Sequence, residues 1–143
     1  PGSGLAVKLG GNGEVKESGK LWTSRNSPYV ATPVYHEGHL YWMDRSGYAV
    51  CLNASTGREV FRERLKSSSR TPQFYASPVV ADGKIISVSR NAGAFVLEAK
   101  PKFKQLAQNT FASDRSVFNA SPAVSNGRLF LRSDTHLYCI AGE

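Results

Sequence analysis

Ala76-Ser77-Pro78-Val79-Val80-Ala81-Asp82-Gly83-Lys84-Ile85-Ile86 decides the fold, because it is one of three such stretches. Ala31-Thr32-Pro33-Val34 stands 45 residues before it, and Ala120-Ser121-Pro122-Ala123 stands 44 residues after it. A glycine follows each proline by five residues (Gly38, Gly83, Gly127) and opens an apolar run: His39-Leu40-Tyr41-Trp42, Lys84-Ile85-Ile86-Ser87-Val88 and Arg128-Leu129-Phe130-Leu131. A period of this length built from short strands marks a propeller blade. A blade cannot bury its faces alone, so the chain reads as an assembly of equivalent units rather than one enzyme core.

Working outward, the expected fold class is all-β, with blades of four-stranded antiparallel sheet. Alternating apolar residues and turn residues recur throughout, and no capped helical period calls for a helix. Blade one takes strands at 29–35, 40–44, 48–52 and 59–65, and its connecting turns end in Gly38, Gly47 and Gly57. Blade two takes 74–80, 85–89, 94–98 and 105–109, with Ala99-Lys100-Pro101-Lys102 replacing the third glycine turn. Blade three offers 119–125, 129–133 and 137–141 and no outer strand. The N-terminus supplies a third-type strand at 5–9 and an outer-type strand at 20–23, joined by the polar, glycine-rich stretch 10–19.

The expected units are therefore 1–24 (a partial blade), 25–66, 67–111 and 112–143. Three blades are fewer than the ~4 to 8 that a ring needs. Closure then comes from a homo-oligomer, each N-terminal outer strand completing a neighbour's last blade, or from the remainder of a larger propeller. Leu21, Trp22, Leu137 and Tyr138 are the expected strand-sharing residues. The opening Pro1-Gly2-Ser3-Gly4 reads as a processing or cloning scar, or as the cut end of a longer chain.

The formal charge of +7 raises a nucleic-acid reading. Its distribution favours a solvated basic face instead: Arg58, Arg62, Arg64, Lys66 and Arg70 interleave with Glu59 and Glu63 on an outer strand and its following turn. Charged outer strands guard a sheet edge against aggregation. No nucleic acid is expected as a partner, and no window reaches the ~20 apolar residues of a spanning helix. Aligned on Gly47, Gly93 and Thr135, Cys51, Leu97 and Cys139 share one register position, which sets the two thiols a blade apart as buried apolar residues rather than a disulfide. His36, His39 and His136 are too dispersed to converge on zinc. Asp44 and Asp134 read as turn-forming aspartates, and no nucleophile elbow, phosphate loop or dinucleotide fingerprint is present. The expected lists of catalytic, cofactor-binding and metal-binding residues are empty, and no cofactor is expected.

Ser77-Pro78-Val79, Asp82-Gly83-Lys84-Ile85, Gly47 to Leu52, and Ser55-Thr56-Gly57 before Val60-Phe61 together resemble the pyrroloquinoline-quinone-like propeller repeats. The likeness covers roughly residues 5–143 and is greatest to the non-enzymatic, BamB-like branch. It implies a scaffold or binding module with protein partners, periplasmic or extracellular in a bacterium. It also implies an inter-blade tryptophan on the outer strand, a role that Trp22 fits and Phe61 takes over in blade one. Quinone-dependent dehydrogenases of this family carry adjacent cysteines, a tryptophan floor and a calcium-side aspartate. This chain has no adjacent cysteines, so a dehydrogenase remnant is the alternative reading and a chain whose only activity is self-assembly is a third. Tyr29, Phe74, Tyr75 and Phe118 precede the inner strands, where they are expected to ring the mouth of a central channel and contact a ligand or peptide.

Overall fold

A computed structural model describes residues 3–10, 12–68 and 71–142. Pro1, Gly2, Gly11 and Arg70, which entered the readings above, lie outside the described residues. Thirteen strands follow in order: β1 (Gly4–Val7), β2 (Lys20–Ser24), β3 (Val34–His36), β4 (His39–Met43), β5 (Tyr48–Asn53), β6 (Glu59–Arg64), β7 (Val79–Ala81), β8 (Lys84–Ser89), β9 (Gly93–Glu98), β10 (Gln105–Asn109), β11 (Ala123–Ser125), β12 (Arg128–Arg132) and β13 (Leu137–Ala141). They form four antiparallel sheets, β1-β2, β3-β4-β5-β6, β7-β8-β9-β10 and β11-β12-β13. The chain is all-β and built of propeller blades. One turn of 3-10 helix at Glu17–Gly19 is the single helical element among the described residues, where none was expected.

Two-residue turns open each blade. Glu37 and Gly38 (φ 44° and 78°), Asp82 and Gly83 (47° and 63°), and Asn126 and Gly127 (49° and 70°) are left-handed at both positions. That conformation matches the twist of the flanking strands and calls for glycine at the second place.

The inner strands are shorter than expected and start after the prolines. Proline has no N–H to give a ladder, and the residues before it bond sideways instead. The Thr32 N–H donates to Ser77 Oγ at 2.8 Å, and the Ser77 N–H donates to Ser121 Oγ at 2.9 Å. The Ser of the repeated phrase is thus the link from one blade to the next. The Ala before it stays small where inner strands converge, with Ala31 and Ala76 buried. At the N-terminus β1 stops at Val7, because the register shifts there and the Leu9 side chain lies in solvent.

Alternation along each strand gives a blade two faces, and each face meets a different neighbour. Tyr41, Met43, Ala49 and Cys51 of the first full blade pack against Phe74, Ile85, Phe95 and Leu97 of the second. The opposite face of the second, with Val88 and Ala94, meets Phe118, Leu131 and Tyr138. On the other side the Trp22 indole lies against Gly57, where an added Cβ would come within 2.4 Å of the ring, and its N–H donates to Ala54 O at 2.9 Å. Phe61 holds the same place one blade on and meets Phe103 edge-on at 5.8 Å.

Strand pairing corrects the cysteine register. Cys51 pairs with Tyr41, Val96 with Ile86, and Cys139 with Phe130, so Val96 rather than Leu97 shares the position. The blade-two tip turn places Gly93 one residue later in the hairpin than Gly47, which displaces an alignment made on glycines. The expectation that both thiols are buried also fails for one of them. Cys51 faces the next blade and is buried, whereas Cys139 sits on the same face of β13 with no blade against it and is exposed.

Burial pushes the Cys51 thiol up to about 11. A thiol-exchange reagent at pH 8 is expected to modify Cys139 at once and Cys51 only on unfolding; equal fast modification of both would contradict the blade-one to blade-two packing. Removing a blade link, Ser77→Ala, is expected to lower stability in urea by about 1 kcal/mol, the usual net value of one hydrogen bond. Ser77→Thr should restore most of the loss.

Candidate interaction surfaces

Two kinds of surface stand out: an open sheet edge at one end of the array, and a row of arginines and tyrosines across one end of the strands. β13 is the last strand of a three-stranded sheet, so its outer side carries no ladder partner within the described residues. In the three other sheets the outer strand sets Trp22, Phe61 or Ala107 opposite Ala6, Cys51 or Val96, directly before a register shift. The matching place on β13 is Cys139. Leu137, on the same face, is 71% exposed.

The four expected strand-sharing residues separate by face. Leu21 and Leu137 point away from neighbouring blades and are exposed. Trp22 and Tyr138 instead point inward. Trp22 packs on Gly57, and Tyr138 lies 4.8 Å from the Phe111 ring and donates its hydroxyl proton to Asp114 Oδ2 at 2.7 Å. Within the chain β2 pairs with β1, so the N-terminal outer strand does not reach β13.

The four expected channel-mouth aromatics separate as well. Phe74 and Phe118 are not at a mouth. Phe74 is buried edge-on against Phe95, and Phe118 is stacked on Phe111, because each falls between two consecutive blades. Tyr29 holds the equivalent place before blade one, where β1 and β2 supply only an outer half-blade, and is 66% exposed. Tyr29 and Tyr75 are neighbours at 6.3 Å. Arg45 lies 5.0 Å over Tyr29 and Arg90 lies 4.4 Å over Tyr75. The row borders two grooves of about 730 and 710 Å³, one containing Arg25, Tyr29 and Arg45, the other Arg90, Phe111 and Arg115.

Charge is distributed unevenly between the two ends of the strands. At the end holding the blade-opening turns, Lys84 pairs with Asp82, while Lys100 and Lys104 pair with Glu98. At the other end Arg62 pairs with Asp44, whose Oδ1 accepts the Ser46 and Tyr48 N–H groups and so shapes its turn. Among the described residues no acidic side chain pairs with Arg45, Arg90 or Arg115.

Sequence reasoning missed Asp114. Its carboxylate accepts the Ser116 N–H (2.9 Å) and the hydroxyl protons of Ser116 (2.6 Å), Ser133 (2.6 Å) and Tyr138 (2.7 Å), with His136 Nδ1 at 3.5 Å. It ties the segment entering the last blade to the β12–β13 turn. Those hydrogen bonds hold the carboxyl well below the usual carboxylate range. The only signal was the Asp-x-Ser spacing in a connection that showed no repeat.

The family model for outer membrane protein assembly factor BamB matches residues 14–102, more than half of the chain. This chain belongs to the BamB family. Among solved structures, BamB from Moraxella catarrhalis superposes with a TM-score of 0.65 at 15% identity, over 92% of this chain and 41% of that one. The computationally designed Ika8 protein superposes with a TM-score of 0.58 at 11% identity, over 80% of this chain and 33% of that one. At these identities the likeness concerns the fold, and this BamB-family chain spans less than half the length of either structure. A search of curated proteins found no match.

Asp114 is stabilised in its ionised form, so its contribution is present above the unfolded value of about 4 and is lost as pH falls towards the lower folded value. Asp114→Asn is expected to lower the melting temperature at pH 7. The gap between variant and parent should hold above about pH 4 and narrow progressively as the pH falls below it; a gap that stays constant through the acid range would refute the charged role.

Proposed function

We propose that this chain is a non-catalytic propeller module that works by binding protein, in the periplasm or outside a bacterial cell. The observation that carries the reading is the edge of β13, which has no ladder partner among the described residues and is flanked by the exposed Leu137 and Cys139. An unpaired strand beside apolar side chains is a template for another strand. Membership of a family described as an assembly factor supports protein as the class of partner. No helix among the described residues is long and apolar enough to cross a membrane.

The strand that β13 receives is the β2 of a second copy, which gives up its pairing with β1 to take that place. The outer-strand pattern places its Trp22 opposite Cys139, as Trp22 stands opposite Ala6 and Phe61 opposite Cys51. The completed blade then lies next to the first full blade of the second copy, covering Tyr29 as Phe74 and Phe118 are covered.

Size-exclusion chromatography with light scattering at micromolar concentration is expected to give a dimer or larger ring. Leu137→Glu with Cys139→Lys, both at exposed positions, should shift it to monomer without lowering the melting temperature of the monomer. A parent chain that is already monomeric would overturn self-assembly and leave β13 to a strand from a larger propeller.

A further inference from the structure

Unlike Arg62, which is held by a carboxylate, Arg90 is held by neutral partners alone. Its Nε–H donates to Asn119 Oδ1 at 2.8 Å, its backbone N–H donates to Gln73 O at 2.8 Å, and its guanidinium lies 4.4 Å from the centre of the Tyr75 ring. One side of the planar fork is thereby occupied by Asn119 and one face by Tyr75. No acidic side chain among the described residues meets the two terminal nitrogens. A guanidinium fixed in this way has the geometry of bidentate carboxylate recognition, with its ordering cost already met by the fold.

The surroundings extend the site in two directions. Across the Tyr75–Tyr29 contact lies a second guanidinium, Arg45, also seated on a tyrosine. In the groove beyond Arg90 lies the exposed Arg115. Two acidic groups near the row are engaged elsewhere: Asp44 pairs with Arg62, and the Asp114 side chain, 2% exposed, is directed at the Ser116, Ser133 and Tyr138 hydroxyls. The exposed Asp134 holds in the last blade the place that Arg90 holds in the second, its N–H donating to Val117 O at 3.0 Å, so the cationic row stops there. Cationic groups therefore bracket an aromatic pair, Arg45 on Tyr29 and Arg90 on Tyr75, with Arg115 in the groove beyond.

We infer that this row binds an extended acidic peptide in which carboxylates alternate with apolar side chains, with Arg90 as the central carboxylate fork. A peptide is favoured over single-stranded nucleic acid because base stacking needs open aromatic faces. Arg45 and Arg90 each cover a face of their tyrosine, and the two tyrosines tilt against one another at 57°. Arg90, Tyr75, Asn119 and Arg115 lie on blades two and three, away from the β13 edge, so the central fork is separate from self-association, whereas Tyr29 lies on the face that self-association covers.

The test is fluorescence anisotropy with a labelled peptide of alternating Glu and Phe, against a Lys/Phe peptide and oligo-dT of the same length. Saturable binding of the Glu/Phe peptide alone is expected, weakening as salt rises. Arg90→Lys keeps the charge and loses the fork, and should cost about tenfold in affinity, as should Arg90→Gln. Asn119→Ala removes no charge but releases the guanidinium, and should cost severalfold. Unchanged melting temperatures establish that each variant is folded. Equal affinity of Arg90→Lys and the parent, equal binding of the Lys/Phe peptide, tighter binding of oligo-dT, or no saturable binding would each overturn the inference.

Discussion

A single hydrogen bond, from the backbone N–H before one blade's proline to the hydroxyl of the next blade's serine, sets the spacing of this array. Thr32 to Ser77 and Ser77 to Ser121 are its two instances. With the inner strands held at that separation, alanine is the side chain that fits where they converge. The proline begins the ladder without wasting a donor, and the faces of successive blades come together along their length. The phrase that repeats in the sequence is the chemistry of the joint. The outer ends of the blades are held differently, by Trp22 on Gly57 and by Phe61 on Phe103, where an aromatic side chain fills the distance that widens from the centre.

Most of the fold was legible because the period left its marks at turns. Asp82-Gly83 and Asn126-Gly127 are turn dipeptides in their own right, and Glu37-Gly38 is readable from its position in the repeat. The inner strands were over-read because apolar alternation continues upstream of the prolines. Of those residues Phe74 and Phe118 pack between blades, Tyr29 is exposed, and none is a ladder member. The register error at Leu97 has a similar origin: Gly47 and Gly93 look equivalent, but only cross-strand pairing shows which tip residue each one is.

The interaction surfaces were less legible. Tyr29, Phe74 and Phe118 hold one repeat position and read alike, yet two are core and one is exposed. The difference lies in what stands on the other side, a half-blade for Tyr29 and a full blade for the others. Cys51 and Cys139 make the same point. Local sequence encodes which face a side chain takes, and burial depends on whether another unit covers that face. Asp114 sits in a connection that showed no repeat, and Arg90 and Asn119 come from different blades, so no spacing rule points to their contacts.

The blade joint also has a direction. Each blade gives an N–H and the following one receives it, so the ladder leaves the Ser121 N–H at one end and the Thr32 hydroxyl at the other. Two arrays meeting at like ends would set donor against donor or acceptor against acceptor. Only a rotation that carries one copy's last blade onto another's first satisfies both, which is a heterologous contact. Polarity of this kind restricts any assembly that continues the array to cyclic rings or open helices. It denies the array a dimer in which two like ends meet, and leaves to a pair of copies only the closed ring.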